Sequence, residues 1–270
     1  MTYAVNQSER NTIVAEQSAQ NKSRMKTVSS IKDYTMLPDK SDCILVEDNL
    51  KPQQIIQMCL DRDIKHVIQN SKMNLIDKLK IADHILYEPI KFMTFNEKLF
   101  PESNESLSFS FDSKENRTQL VDKVLNFLQI DPKNHNTEHI LKSTEELIMN
   151  AQVHAPRIGD FKSPHRMSFL VEKSANDFVA LSVFDDYGSM NMNKFLKKIL
   201  NNFMIGTADA INYGAGGAGL GSSIIFESAE TLYIAVLPKR ITRVTILTPL
   251  KVRAKDRELE QKSIHIFNSL

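Results

Sequence analysis

The chain has only eight glycines in 270 residues, and five of them fall between Gly214 and Gly221, in the stretch GAGGAGLGSSIIFESA. Ordering glycine costs more backbone entropy than ordering any other residue, so such density argues against a regular strand or helix there. The stretch reads as a loop, and the apolar positions after it, from Ile224 onward, read as a helix. A glycine-rich loop running into a helix can cradle phosphate, because bare N–H groups are exposed and the helix N-terminus adds positive potential. The segment lacks the Gly-Lys-Ser/Thr ending of a P-loop. No strand–helix–strand unit with a downstream ribose-binding acid surrounds it, so the dinucleotide fingerprint does not apply. A glycine hinge with no ligand is the plainer alternative.

Two further stretches carry chemistry. In STEELIMNAQVHAP, residues 143–156, Glu146, Asn150 and His154 recur every four residues. On a helix that spacing lines one stripe, with Leu147, Ile148 and Ala151 free to face a core. The spacing predicts a helix over about 136–154, ended by Pro156, because a residue before proline is pushed out of helical dihedrals. Alone, the stripe is also what a solvated helix face looks like. In FDDYGSM, residues 184–190, an apolar strand ends in Asp185 and Asp186, followed by Gly188. A carboxylate at a strand end can accept from an exocyclic amine such as that of adenine, and Gly188 would let a flat ring approach the backbone.

The order and spacing of these three stretches resemble the GHKL ATPase superfamily, the histidine-kinase-like fold of type II topoisomerases, chaperones of the heat-shock 90 class and mismatch-repair ATPases. EELIMNAQVH is similar to that family's N-box, DDYGS to its first glycine box, and GAGLGSSI to its second. The likeness covers roughly residues 105–250. It implies an α+β fold, a two-layer α/β sandwich of the Bergerat ATP-binding type, with ATP and Mg²⁺ as cofactors. It implies Asn150 as the magnesium ligand and Glu146 as the catalytic residue that orients or deprotonates a nucleophile. Asp186 would read the adenine amino group, with Gly188 beneath the base and Thr242 nearby. Gly217, Gly219, Leu220 and Gly221 would wrap the phosphates. Residues 191–216 would form a mobile ATP lid, with Lys194, Lys197 and Lys198 as possible phosphate contacts. The family's first glycine box has a second glycine where this chain has Met190, which puts turnover in doubt more than binding.

Alternating short apolar runs and helical patterns elsewhere predict a small α/β layer over 31–100: strands at CILVED, HVIQ and HILYEPI, with helices at 52–63 and 74–82 between them. ILVEDN and YEPI resemble parts of a response-regulator receiver. However, Glu88 stands where that pattern wants lysine, and no phosphorylatable aspartate is evident, so the module is expected to be a degenerate, receiver-like one. Residues 1–30 are polar and read as a flexible arm. The ATP-binding domain is expected over 105–252, with strand LSFSF, helix RTQLVDKVLNFLQI, a hairpin at 166–186 turning at SAN, and two late strands. Residues 253–270 read as a tail or terminal helix.

His66, His84, His135 and His139 lack the context of a phosphoacceptor histidine, so the chain does not look like a self-phosphorylating sensor. Its layout is most similar to anti-sigma-factor serine kinases, which act on a partner protein in signal transduction. Two functions stay open: a protein kinase acting on serine, threonine or histidine, and a nucleotide-gated module that sequesters a partner without transfer. A homodimer is possible. Formal net charge is +1, which gives no global pull toward nucleic acid. There is no apolar run long enough for a membrane span and no signal-like apolar core, so a cytoplasmic location is the default. Cys43 and Cys59 read as buried thiols in a reducing compartment.

Overall fold

The computed structural model describes residues 26–36, 43–95, 97–103, 105–155, 166–205, 220–257 and 260–268. Three parallel strands come first: β1 (Lys26–Val28), β2 (Cys43–Val46) and β3 (His66–Ile68). Between and after them run α1 (Ile31–Thr35), α2 (Pro52–Arg62), α3 (Leu75–Tyr87) and α4 (Pro89–Phe92). Then follow β4 (Ser106–Phe111), α5 (Arg117–Leu128), α6 (Glu138–Met149), a π-helical turn at Asn150–His154, β5 (Met167–Lys173) and β6 (Phe178–Asp185). The chain closes with α7 (Met192–Ile205), α8 (Gly221–Ser228), β7 (Thr231–Leu237), β8 (Ile241–Pro249), α9 (Ala254–Arg257) and β9 (Ser263–Asn268).

Among the described residues the strands form one mixed sheet in the order β1-β2-β3-β9-β7-β8-β6-β5-β4. The two expected modules are therefore not separate layers. β9 lies between them, antiparallel to β3 and parallel to β7. A tail or terminal helix was the expectation for this stretch; among the described residues only Ala254–Arg257 is helical there, and SIHIFN is a strand. Its alternation explains the outcome. Ile264 and Ile266 face one core, while His265 and Phe267 face the other side of the sheet.

Two other expectations are corrected. The stretch HILY is not a strand but the last turn of α3. Asn74 caps that helix by accepting from Asp77 N–H at 2.8 Å. Leu75, Leu79, Ala82 and Ile85 are buried at helical spacing, so the apolar face runs through HILY until Pro89. Residues 26–28, assigned to the arm, pair with β2; the rest of that arm lies outside the described residues. The helices α2, α5 and α6 and the strands β2 to β8 fall where periodicity puts them, while α1, α4 and α7 were not expected as helices. On α5, Leu120, Val121, Val124, Leu125 and Leu128 are all buried, each contributing roughly 1.5–3 kcal/mol relative to exposure.

The sheet is covered on both faces. Val179, Leu181, Val183, Val244 and Ile246 face α5, α6 and α8 in the larger core, which also takes in α2 and α7. On the opposite face Phe178, Ala180, Tyr233, Ala235, Leu247 and Phe267 meet Met73, Ile85, Phe92, Met93 and Leu99. Residues 71–95 and 97–100 thus add a layer on this face, where a two-layer arrangement was expected. That layer is pinned by charges. Arg243, fully buried on β8, lies 3.9 Å from the Phe92 ring centroid and 4.6 Å from that of Phe184. Its guanidinium donates to the Phe92 carbonyl, to Glu97 O and Ser182 Oγ at 3.1 Å each, and to Thr245 Oγ1 at 3.1 Å. Burial brings its pKa down to about 9. Glu172 accepts from Leu99 and Phe100 N–H at 2.9 and 3.0 Å. Buried Lys78 pairs with Glu230 at 3.2 Å and also donates to Gln69 O at 2.9 Å.

At the β3–β9 seam His66 and His265 stand opposite each other, their Nδ1 atoms 3.3 Å apart, and His265 stacks on Tyr233. Burial pushes His66 down to about 3, and burial with the neighbouring His66 and Lys78 pushes His265 well below its ordinary value. Both rings are neutral in the folded chain, whereas the unfolded chain binds their protons below its ordinary histidine range, near 6.5. Stability should therefore be full above about pH 6.5 and fall as pH drops from there toward 3. Urea titrations of wild type and His66→Gln at stepped pH should show a shallower acid loss for the variant; equal slopes would refute the assignment.

Candidate functional site

The three motif stretches converge at one end of the sheet, on its α6–α8 side. Glu146 lies on the last turn of α6, and its carboxylate rests against the start of α8. A Cβ added to Gly221 would stand 2.1 Å from Glu146 Oε2, so any larger residue there would have to displace this carboxylate. Glu146 Oε2 is buried and meets no hydrogen-bond partner. Burial raises its pKa and Glu145 adds to the rise, while Arg117 opposes it. The first N–H groups of α8 and the partial positive charge of its N-terminus lie beside an unpaired acid. Ser222 Oγ, in the same turn, is buried without a partner. Ser223 accepts from Asn202 Nδ2 at 2.7 Å, which ties α8 to α7.

Asn150 marks the point where α6 widens into the π turn. Its N–H still bonds back to Glu146 and Leu147, but its carbonyl accepts from Ala155 N–H five residues on, at 3.0 Å. Such single π turns occur often at functional sites. Glu146 and Asn150 thus stand one helical turn apart, and the wider winding runs on to His154. The turn is anchored at both ends. Gln152 Nε2 donates to Asp112 O at 2.9 Å and Glu115 O at 3.2 Å, and Ser189 Oγ donates to Ala155 O at 3.1 Å. The last bond joins the stretch that carries Glu146 and Asn150 to the one that carries Asp185 and Gly188.

The two aspartates at the end of β6 differ. Asp185 is buried and shares the face of Val179, Leu181 and Val183. Its Oδ1 accepts from the N–H groups of Tyr187 and Gly188 at 3.1 and 3.2 Å. Burial pushes its carboxyl up to about 6, against the pull of those two N–H groups and of the Thr242 hydroxyl. Thr242 stands opposite Asp185 in the β6–β8 ladder, and its buried oxygen completes no well-formed hydrogen bond. Asp186 extends the β5–β6 pairing, with its Oδ1 accepting from Arg166 N–H at 3.0 Å. The family resemblance names Asp186, while strand alternation through 179, 181 and 183 puts Asp185 on the inner face.

Gly188 has φ +56°, and a Cβ would stand 2.3 Å from Leu237 O and 2.5 Å from Arg240 N, so the β7–β8 turn is reason enough for glycine. Lys239 N–H donates to Gly188 O at 3.1 Å. Met190 packs against the larger core. The first half of the expected lid is helix α7, with Leu196 and Ile199 buried and Lys194, Lys197 and Lys198 exposed. Gly217 and Gly219 lie outside the described residues, and Leu220 leads directly into α8.

Among the described residues no group of three or more His, Cys, Asp or Glu side chains is arranged to hold a metal ion. A hard cation here would rest on the Asn150 amide and on oxygens of a ligand, a sharing that suits magnesium. The donor set fits a nucleotide. Unpartnered atoms of Glu146, Ser222 and Thr242 occur on the elements that the motifs mark, and α8 directs its first N–H groups to the same end. No helix of the described residues is long and apolar enough to cross a membrane. No family model matches the chain, and no curated protein matches it.

Because burial raises the Glu146 pKa, its ionised form costs folding stability above the folded pKa, and the cost disappears once pH falls below the unfolded value. Glu146→Gln should therefore be more stable than wild type at neutral pH and equal to it near pH 3.5. Thermal unfolding at both pH values checks this; a variant less stable at neutral pH would show that the carboxylate is paired.

Proposed function

We propose that this chain is a magnesium–ATP-binding regulatory protein of the histidine-kinase-like ATPase type, controlling a partner protein in signal transduction. In this reading residues 105–252 are a Bergerat-type nucleotide domain, and the preceding strands are a receiver-like segment without its phosphorylation chemistry. The observation that carries it is the Glu146 carboxylate lying unpaired against Gly221, because it joins the N-box helix to the glycine-box helix in one acid-and-helix-terminus site.

Each residue then has a chemical task. The Asn150 amide oxygen is the magnesium ligand, and bound magnesium supplies charge neutralisation on phosphate oxygens. The N-terminal N–H groups of α8, from Leu220 and Gly221 onward, receive phosphate. Glu146, with its raised pKa, accepts a proton from an attacking hydroxyl. Asp185, with Thr242 beside it, lies on the helix-covered face of the sheet and is taken here as the acceptor for an adenine amino group. Asp186, which the family resemblance pointed to, is engaged with Arg166 N–H.

A second reading is a nucleotide-gated module that binds its partner without phosphate transfer. Core packing of Met190 and the commitment of Gly188 to the β7–β8 turn favour it, since both leave the lid hinge little freedom. Incubation with γ-labelled ATP and candidate partners separates the two: label on a partner supports the kinase, and tight binding without label supports the module.

Asn150→Ala should lower magnesium-dependent ATP affinity by about 100-fold, or ~2.7 kcal/mol, in a calorimetric titration with the fold retained. Unchanged affinity would refute the nucleotide site. Asp185→Asn should weaken ATP binding by roughly tenfold, the value of a hydrogen bond to a charged group, while Asp186→Asn changes it little. The opposite ranking would return the adenine contact to Asp186.

A further inference from the structure

We infer that α7 couples the nucleotide site to the N-terminal strand–helix segment, so that α2 responds to nucleotide binding; this rests on the nucleotide reading above. α7 has two neighbours. On one side it is held to α8 by the Asn202 Nδ2 to Ser223 Oγ bond at 2.7 Å, and by an edge-to-face contact of Phe203 on Phe226 with centroids 6.1 Å apart. Ser223 is two residues from Gly221, where the Glu146 carboxylate rests. On the other side α7 packs against α2. Leu196 and Ile199 share one core with Ile55, Ile56, Met58 and Cys59.

The arrangement makes α7 a strut. A ligand that settles on the first turn of α8 displaces or rigidifies Ser223, and the direct hydrogen bond passes that change to Asn202. α7 cannot shift without repacking its apolar face against α2, because close-packed interiors do not deform continuously. α2 follows β2 directly, so the strand–helix segment reads the occupancy of a site more than a hundred positions further along the chain. Coupling of this kind is reciprocal: whatever stabilises one placement of α2 changes nucleotide affinity by the same factor.

Hydrogen–deuterium exchange of the full chain, with and without magnesium and a non-hydrolysable ATP analogue, tests the inference. Amide exchange across residues 52–62 should slow by about fivefold or more on nucleotide addition. Asn202→Ala should remove that slowing while analogue affinity, measured by calorimetry, stays close to wild type. Should that variant fail to fold, Ser223→Ala cuts the same bond from its other end. Binding without any change in 52–62, or a change that survives both substitutions, overturns the coupling and leaves the nucleotide site standing. Failure of the analogue to bind overturns both.

Discussion

The pairing of β9 with β3 on one side and β7 on the other holds this molecule together. His66 and His265 face each other across that seam although 199 positions separate them in the chain. Closing so long a loop costs entropy that grows only slowly with length, so two ladders and a buried face can offset it. Without β9 the three parallel strands would expose an edge, and so would β7. With it, both halves share one sheet, one larger core and a common covering layer. The position of α2 beside α7 follows from that continuity, not from any property of either helix alone.

The second face of the sheet shows how polar groups specify a layer. Arg243, Glu172 and the Lys78–Glu230 pair are buried, and each bonds to backbone or hydroxyl groups of the segment that covers them. Burying such charges is expensive unless every lone pair and proton finds a partner. The geometry of Arg243 and Glu172 therefore selects one placement of Phe92, Glu97, Leu99 and Phe100 over others that would leave a charge unpaired. The apolar residues around them supply the bulk of the burial.

At the candidate site Glu146, Ser222 and Thr242 each keep a buried atom without a hydrogen-bond partner, as Glu230, Thr231 and Thr248 do elsewhere in the interior. Folding alone gives no reason to leave a carboxylate unpaired at a helix N-terminus, since a smaller or neutral side chain would cost less. Gln152 and Ser189 fix the turn that follows Glu146 through bonds to backbone carbonyls.

Much of the architecture was legible in local pattern. The apolar faces of α2, α5 and α6, the hairpin at 166–186 and the late strands follow from periods of 3.6 and 2, because burial acts on each element through its own repeat. Glu146 and Gly221 could be named from spacing, as could the strand end carrying Asp185 and Asp186. Local pattern could not tell which aspartate faces inward once the strand stops. It could not show that Gly188 makes room for the β7–β8 turn, or that α6 widens at Asn150.

By itself, then, the sequence determined the elements, their apolar faces and the residues able to do chemistry. Tertiary structure alone decided the rest: that SIHIFN is a strand, that it joins the halves, and that residues 71–95 and 97–100 add a layer. These outcomes depend on hydrogen-bond ladders and buried charge partners from distant parts of the chain. No local repeat encodes such partners, since each exists only when the other segment is in place.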